Sequence, residues 1–171
     1  MTARPSTSCS RRKDLTPTFG SSIGAQLIDV YLHDPLAGVT STAASFPQRN
    51  YTIAPADAWS RLIEVSGFGQ RYIDAGGTTL GIVSVTARTS AKTVLFSVPA
   101  ATLGHPTDGW DVAVALTGQD GFSSDQARGF APTPEGFAFG VCAAASADPR
   151  CTVDPETVPK IMDALTPLGV D

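Results

Sequence analysis

Hydrophobic and polar residues alternate along several short segments of the chain, and the clearest alternation begins at Trp110. This residue and Val112, Val114 and Leu116 fall on one side, with aspartate, alanine and threonine residues between them. A period of two residues is typical of a β-strand with one buried face. We therefore predict a strand here, with Trp110 and its three partners facing the core.

A second strand is predicted over residues 23–33, ahead of the pair Asp34-Pro35. Proline lacks a backbone N–H and restricts the residue before it, so the strand should end there. The alternation divides the side chains between two faces. One face carries Ile28, Val30 and Leu32, and the other, which we expect to point outward, carries Leu27, Asp29, Tyr31 and His33.

Shorter runs predict the remaining strands. Residues 59–65 fit either a strand or one face of a helix, and the nearby Gly67 and Gly69 favour the strand. Gly76-Gly77 is a typical hairpin turn between two of the runs. The predicted strands are 59–65, 71–75, 80–87, 93–98 and 137–141, and one helical turn is predicted over 99–103.

The two ends of the chain carry weaker patterns. Residues 1–18 lack hydrophobic periodicity and are predicted to be a disordered tail or the scar of a truncated gene start. Near the other end, Thr157 is a candidate helix cap and Pro159 suits a first helical position. A short helix is therefore predicted over 160–165, although the same residues also alternate as a strand would.

Short strands separated by turns predict an all-β fold, an immunoglobulin-like β-sandwich with one short C-terminal helix or turn. Fewer strands are visible than a closed sandwich usually has, so we expect N-terminal strands to be missing. A chain of 171 residues is long enough for one domain with its own core. We place that domain at residues 19–171.

Composition and charge exclude several classes of function. Charged residues make up 16% of the chain, and the formal net charge is −4 without an extended basic run. This balance argues against nucleic acid or an anionic membrane as the main partner. The apolar runs are far shorter than the roughly 20 residues of a transmembrane helix, so no membrane span is predicted.

The polar loop after Leu116 is the predicted ligand-binding surface. Sugars present hydroxyl groups that need donors and acceptors, and apolar C–H faces that suit an aromatic ring. Tyr31 and His33, on the face expected to point outward, would add a stacking ring and an imidazole. The alternative is a solvated turn held by its own arginine–aspartate pair. The candidate loop residues are Gln119, Asp120, Asp125, Gln126 and Arg128.

No pattern in the sequence selects a catalytic or cofactor site. The spacing of the aspartates identifies no glycosidase pair, the segment GFSSD is not a nucleophile elbow, and no phosphate-binding glycine loop is present. Asp29, His33 and Asp34 lie near one strand end and could bind a metal ion, but such clusters also arise for structural reasons. We predict no catalytic residue, no cofactor and no metal site.

Cys142 and Cys151 bracket a short loop of alanine, serine, aspartate and proline residues. A disulfide between them is predicted, and it would place the chain in an oxidising compartment. The alternative is two free thiols. Cys9 is left over in the predicted tail.

Four long segments resemble a known module. In chain order they read GAQLIDVYLHDP, NYTIAPADAWSRLIEVSGFGQRYIDA, GWDVAVALTGQDGFSSDQARGF and PKIMDALTPLGV. They resemble the C-terminal domain of glucodextranase, which also occurs beside amylopullulanase-type and related α-glucan-degrading enzymes. The resemblance runs from about residue 17 to the end of the chain. Family members usually carry further strands before this region, which again implies missing N-terminal strands.

The resemblance implies a DOMON-like, carbohydrate-binding β-sandwich with an accessory, non-catalytic role. Such a module holds a secreted α-glucan-degrading glycoside hydrolase to an α-glucan polysaccharide or to cell-wall glycan, so an extracellular or cell-surface location is implied. The catalytic domain of the parent enzyme is the second implied partner. Two alternatives stay open: a fragment of a hydrolase whose catalytic domain is absent, and a structural domain that packs on that enzyme.

Overall fold

The computed structural model describes residues 7–11, 17, 20–24, 26–104, 106, 109–118, 129–131, 138–140, 161 and 163–165. Within them the chain is mostly β-strand, with one short helix, α1 (Ala100–Leu103), and two 3₁₀ turns at Pro47–Arg49 and Pro55–Asp57. The strands are β1 (Thr7–Arg11), β2 (Gln26–His33), β3 (Arg61–Ser66), β4 (Gln70–Asp74), β5 (Thr79–Gly81), β6 (Ser84–Arg88), β7 (Thr93–Ser97), β8 (Asp111–Gly118), β9 (Gly129–Ala131), β10 (Ala138–Gly140) and β11 (Asp163–Leu165).

Two antiparallel sheets build a β-sandwich. The larger sheet has the strand order β11-β8-β2-β3-β4-β5, and the smaller sheet has the order β1-β7-β6. Strands β9 and β10 form a separate parallel pair. The predicted all-β sandwich is confirmed.

One hydrophobic core fills the space between the two sheets. The face of β2 predicted to be apolar contributes to it, and so do β3 from the larger sheet and β7 from the smaller one. Burying such apolar side chains is the dominant favourable contribution to folding. The core residues from these three strands are Ile28, Val30, Leu32, Ile63, Val65, Val94 and Phe96.

The opposite face of β2 is buried as well. Asp29 is 0% exposed and Tyr31 is 1% exposed, so the expectation that this face points outward is wrong. Strand β2 lies in the middle of the larger sheet, paired with β3 on one side and β8 on the other. The segment between β2 and β3 covers its second face. The sequence alternation therefore separates two buried environments, one apolar and one partly polar.

The face predicted from Trp110 is correct for three of its four residues. Trp110, Val114 and Leu116 pack against the core between the sheets, whereas Val112 is 41% exposed. Trp110 is only half-buried, and the guanidinium carbon of Arg61 lies 5.0 Å from its ring centroid. Its contribution to stability thus combines partial burial with a cation–π contact.

Trp110→Ala should lower the free energy of unfolding by about 1–3 kcal/mol, less than the roughly 3–5 kcal/mol of a fully buried tryptophan. Urea denaturation of the parent and the variant measures the difference. Trp110→Phe, which keeps a ring beneath the Arg61 guanidinium, should recover most of the loss. A parent-like midpoint for Trp110→Ala would show that the indole adds nothing to the core.

The hairpin predicted at Gly76-Gly77 connects β4 and β5. Gly77 has a φ of +87°, a left-handed conformation that glycine adopts without steric strain. The backbone N–H of Asp74 donates to the carbonyl of Thr78 at 2.9 Å, and Asp74 Oδ1 accepts from the N–H of Gly76 at 2.9 Å. The predicted strand 80–87 divides instead into β5 and β6, because the chain passes there from the larger sheet to the smaller one.

The predicted strands 59–65, 71–75 and 93–98 correspond to β3, β4 and β7, the helical turn at 99–103 corresponds to α1, and β10 lies within 137–141. At the C-terminal end, residues 163–165 form strand β11 on the edge of β8, so the predicted helix is wrong there. An isolated helix of six residues is marginal, whereas an open sheet edge supplies backbone partners.

At the N-terminal end, the structure departs from the predicted disordered tail. Residues Thr7–Arg11 form β1, which pairs with β7 in antiparallel register.

Candidate functional site

The second face of the larger sheet is covered by the long segment between β2 and β3. Two antiparallel bridges, Ser41 to Trp59 and Ala43 to Thr52, fold this segment back on itself. The indole Nε1 of Trp59 donates to the carbonyl of Ala43 at 2.8 Å, and its ring centroid lies 5.7 Å from that of Tyr31. The segment is thereby fixed as a second layer over the sheet.

Beneath this layer, four charged side chains form a buried cluster across three neighbouring strands. Asp29 on β2 lies directly opposite Glu64 on β3, and Glu64 lies opposite Arg71 on β4. Arg49, from the first 3₁₀ turn, contacts both carboxylates, with its Nη1 on Asp29 Oδ2 and its Nη2 2.9 Å from Glu64 Oε2. Arg71 makes a two-pronged contact with Glu64, at 3.1 and 3.2 Å. The formal charges of the four groups cancel.

The pKa values of the cluster follow from burial and from these neighbours. Burial raises the pKa of Glu64 and the charge of Asp29 raises it further, while Arg49 and Arg71 act in the opposite direction. Burial alone would lower the pKa of Arg49, but the two carboxylates outweigh burial and raise it. Arg49 therefore stays charged, and it is the cation that makes the facing carboxylates tolerable.

Phe46 lies between the two guanidinium groups. Its ring centroid is 5.0 Å from the guanidinium carbon of Arg49 and 4.1 Å from that of Arg71. Arg71 Nη2 also donates to the backbone carbonyl of Ser45 at 2.9 Å. These contacts fasten the middle of the covering layer to the charged cluster.

The hydroxyl groups of Tyr31 and Tyr51 complete the polar side of the cluster. The two oxygens are 2.8 Å apart, and they lie 3.3 and 3.2 Å from Asp29 Oδ2. Tyr31 also accepts a hydrogen bond from the N–H of Ser45 at 2.9 Å. Burial and the Asp29 charge raise the pKa of Tyr31 to about 12, and the same two causes raise the pKa of Tyr51. Both hydroxyls are thus protonated and directed into the cluster.

A pocket of about 200 Å³ adjoins the two tyrosines, and none of the four charged residues of the cluster is among the described residues that line it. Strands β2, β8 and β11 supply its floor, and residues 51–57 form one wall. Ala113 lies opposite Tyr31, and Ala115 lies opposite Ala164, so small side chains leave this volume open. The mostly apolar lining with a few polar groups at its edge is typical of a small-molecule site.

Asp57, at the end of the second 3₁₀ turn, is the charged residue among the described residues that line the pocket. Its carboxylate makes no hydrogen bond or ion pair with any residue that the structure describes. Thr52, which is exposed, adds a hydroxyl group to the same wall. The pocket therefore combines aromatic and alanine surfaces with an acceptor that is not engaged by any other residue of the described part of the chain.

Of the residues predicted to bind ligand, Tyr31 lines this pocket and His33 does not. Tyr31 is buried and not the exposed stacking platform that was expected. His33 Nδ1 donates to the carbonyl of Ala58 at 2.7 Å, which ties the end of β2 to the covering layer.

The antiparallel register also separates His33 from the start of the predicted loop. His33 is opposite Asp111, whereas Gly118, the last residue before the loop, is opposite Gln26. Seven residues at roughly 3.3 Å each put the two ends about 23 Å apart. The candidates Gln119, Asp120, Asp125, Gln126 and Arg128, and the cysteines Cys142 and Cys151, lie outside the described residues, and their roles stay predictions.

The carboxylates considered for a metal site have other partners. Asp29 is paired with Arg49, and Asp34 accepts from the N–H of Leu36 at 3.0 Å and lies 3.3 Å from Arg61 Nη1. Across the described part of the chain, no three His, Cys, Asp or Glu residues are grouped to hold a metal ion.

Sequence reasoning missed Arg49, Tyr51 and Asp57. All three lie in the segment between β2 and β3, where no periodicity assigns a face. A local signal exists for Arg49 and Asp57, since each is the last residue of a short 3₁₀ turn that begins with proline. Nothing local shows which strand those turns contact.

A comparison with models of protein families shows which family the chain belongs to. The model of the SLH-like C-terminal binding module of glucodextranase matches residues 13–171. The chain belongs to this family. The resemblance found in the sequence is confirmed, and the chain is a binding module of the glucodextranase C-terminal kind, not a catalytic domain. A search of the curated proteins gave no match. None of the helices in the described ranges has the length and apolar character to cross a membrane.

Proposed function

We infer that this module binds glycan without catalysis and so holds a secreted α-glucan-degrading hydrolase to an α-glucan polysaccharide or to cell-wall glycan. The observation that carries the proposal is the pocket beside Tyr31 and Tyr51, in a chain that belongs to a family of binding modules. An extracellular or cell-surface location follows from this role.

The physical support is the combination of an open pocket and a rigid base. Sugar rings bind through apolar C–H faces on aromatic and aliphatic surfaces and through hydroxyl groups on fixed polar atoms. The half-buried Tyr51 offers ring surface beside the buried Tyr31, and Asp57 and Thr52 offer polar atoms. Because the charged cluster holds both tyrosines, little ordering is left to occur on binding, which favours affinity.

A second contact surface belongs to the proposal on sequence grounds. Asp120 and Asp125 accept hydrogen bonds, Arg128 donates in a planar fork, and Gln119 and Gln126 do both. These residues follow β8, one of the strands that form the floor of the pocket. Their contribution is tested separately from that of the pocket, by alanine variants of Asp120 and Arg128.

Affinity gel electrophoresis tests the proposed function directly. Native gels containing dextran, pullulan, starch or purified cell-wall glycan should retard the parent protein in at least one case, relative to a gel without polysaccharide. A protein of similar size without sugar affinity serves as the mobility control. Unchanged mobility in all four gels would contradict glycan binding. Release of glucose from dextran by the purified chain would instead favour a hydrolase fragment.

Packing on the catalytic domain of a parent enzyme is a second candidate function. It is favoured by Leu36 and Val39, which are 89% and 64% exposed in the segment that follows β2. Contiguous exposed apolar surface is typical of interaction sites, and these two side chains would contribute to such a surface. Gel filtration of a mixture with a glucodextranase catalytic domain should show a shared peak, and Leu36→Ser with Val39→Ser should abolish it.

A further inference from the structure

We propose that the pocket receives the N-acetyl group of an acetamido sugar and thereby selects such glycans over unsubstituted glucans. This inference rests on the proposed glycan-binding function and names the ligand group that the pocket fits. Among the described residues, the pocket offers an incoming group ring and alanine surface in its interior, and in its wall the Asp57 carboxylate, which has no partner among those residues.

Apart from Asp57 and Thr52 in its wall, the described lining of the pocket offers the hydroxyl groups of plain glucose no free polar side chain. Each hydroxyl that enters must exchange water for a new partner, and an unpaired buried hydroxyl weakens binding. The hydroxyls of Tyr31 and Tyr51 are already engaged with each other and with Asp29. Ala113, Ala115 and Ala164 present only methyl groups. A pocket of this kind favours an apolar substituent over a hydroxyl-covered ring.

The size of the pocket agrees with a substituent. Sites for drug-sized ligands occupy roughly 300–1,000 Å³, and this pocket measures about 200 Å³. It can bury one acyl group and part of the ring that bears it. The methyl of an acetamido group would contact the alanines and the half-buried ring of Tyr51, where removing it from water is favourable.

Asp57 supplies the hydrogen-bond acceptor for the N–H of the acetamido group. An acetamido group carries one N–H donor next to its apolar methyl, and the Asp57 carboxylate is an acceptor without a partner among the described residues. Hydrogen bonds to a charged acceptor are stronger than those between neutral groups. The second 3₁₀ turn fixes this residue, with the N–H of Asp57 donating to the carbonyl of Ala54 at 2.9 Å. The methyl is thus recognised by the floor of the pocket and the N–H by the wall beside it.

Isothermal titration of the full chain with two matched ligand series tests the inference. The probes are N-acetylglucosamine oligosaccharides and glucose oligosaccharides of equal length, both in α-linked and β-linked forms. We expect the acetamido series to bind at least about tenfold more tightly, the discrimination that one extra apolar group brings in a fitted pocket. Equal affinity for the two series, or tighter binding of glucose, would overturn the inference while leaving glycan binding intact. Binding of neither series, together with no retardation in any polysaccharide gel, would overturn the proposed function itself.

Variants of pocket residues test whether the selectivity for acetamido sugars arises in the pocket. Ala113→Leu places a larger side chain in the pocket and should reduce the acetamido affinity by about tenfold or more, whereas Ala91→Leu, in the exposed turn between β6 and β7, should not. Unchanged affinity in a folded Ala113→Leu would overturn the inference.

Asp57 gives a test that does not depend on filling the pocket, because the residue lies in a surface turn. Asp57→Leu removes the acceptor and should weaken acetamido binding about tenfold, while Asp57→Asn keeps a carbonyl acceptor and should lose less than about fivefold. Equal losses in the two variants would mean that the pocket selects a cationic group, and would overturn the inference. Unchanged acetamido affinity in both variants would also overturn the inference.

Discussion

Arg49→Ala should lower the free energy of unfolding by roughly 3–5 kcal/mol, the usual effect of removing one partner from a buried ion pair. Arg49 is 0% exposed and lies between Asp29 and Glu64, which face each other on adjacent strands. Without the guanidinium, two buried carboxylates would repel each other in a low-dielectric environment. Urea denaturation followed by tryptophan fluorescence measures the loss.

Two other arginines serve as matched controls. Arg71→Ala removes a partner of Glu64 whose side chain is 29% exposed, so the loss should be about 1 kcal/mol. Arg88→Ala, at an exposed position of β6, should stay within about 0.5 kcal/mol of the parent. Equal losses for Arg49→Ala and Arg88→Ala would show that the cluster does not hold the covering layer in place.

The strands were predictable because alternation in the sequence is a local property. In β2, the residues 28, 30 and 32 differ in polarity from 29, 31 and 33, and this contrast survives whatever covers the strand. The turn at Gly77 was equally predictable, since the required left-handed conformation is a property of glycine itself. Both signals depend on a few neighbouring residues.

The burial of Tyr31 could not be predicted in the same way. The alternation of polar and apolar residues predicts that Tyr31 and Ile28 lie on different faces of β2. It does not predict that a distant segment covers the tyrosine. That cover depends on Arg49 reaching β2 and β3, a contact across 20 residues for Asp29. Such long-range pairing is set by tertiary packing, and local periodicity in the sequence carries no information about it.

The candidate site could not be predicted from the sequence for a related reason. Its pocket exists because alanines of β8 and β11 meet across the sheet, and the register Ala115 to Ala164 joins parts of the chain far apart in sequence. The predicted helix over 160–165 excluded that pairing. A short run whose residues fit both a helix and a strand takes the form that its neighbours stabilise, and here β8 offered a sheet edge.

Raising the pH from about 10 to about 12 should destabilise the protein by roughly 2 kcal/mol through Tyr31 alone, with Tyr51 adding in the same direction. Burial and Asp29 raise the folded-state pKa of Tyr31 from 10.0 to about 12. In this interval the unfolded chain has released the phenolic proton while the folded chain retains it. The stabilising difference is therefore complete below about pH 10 and is lost as the pH rises through the folded pKa.

The chain contains three tyrosines, and burial raises the pKa of Tyr72 as well. Tyrosinate absorbance should consequently appear together with the loss of β-sheet circular dichroism, in one cooperative step, as the pH is raised. Tyr51→Phe keeps the ring but removes one titrating group, so its stability should fall less steeply with pH than that of the parent. If a tyrosine ionised near pH 10 while the circular dichroism stayed native, the hydroxyls of Tyr31 and Tyr51 would not be locked into the Asp29 cluster. The rigid wall that they provide for the pocket would then be absent.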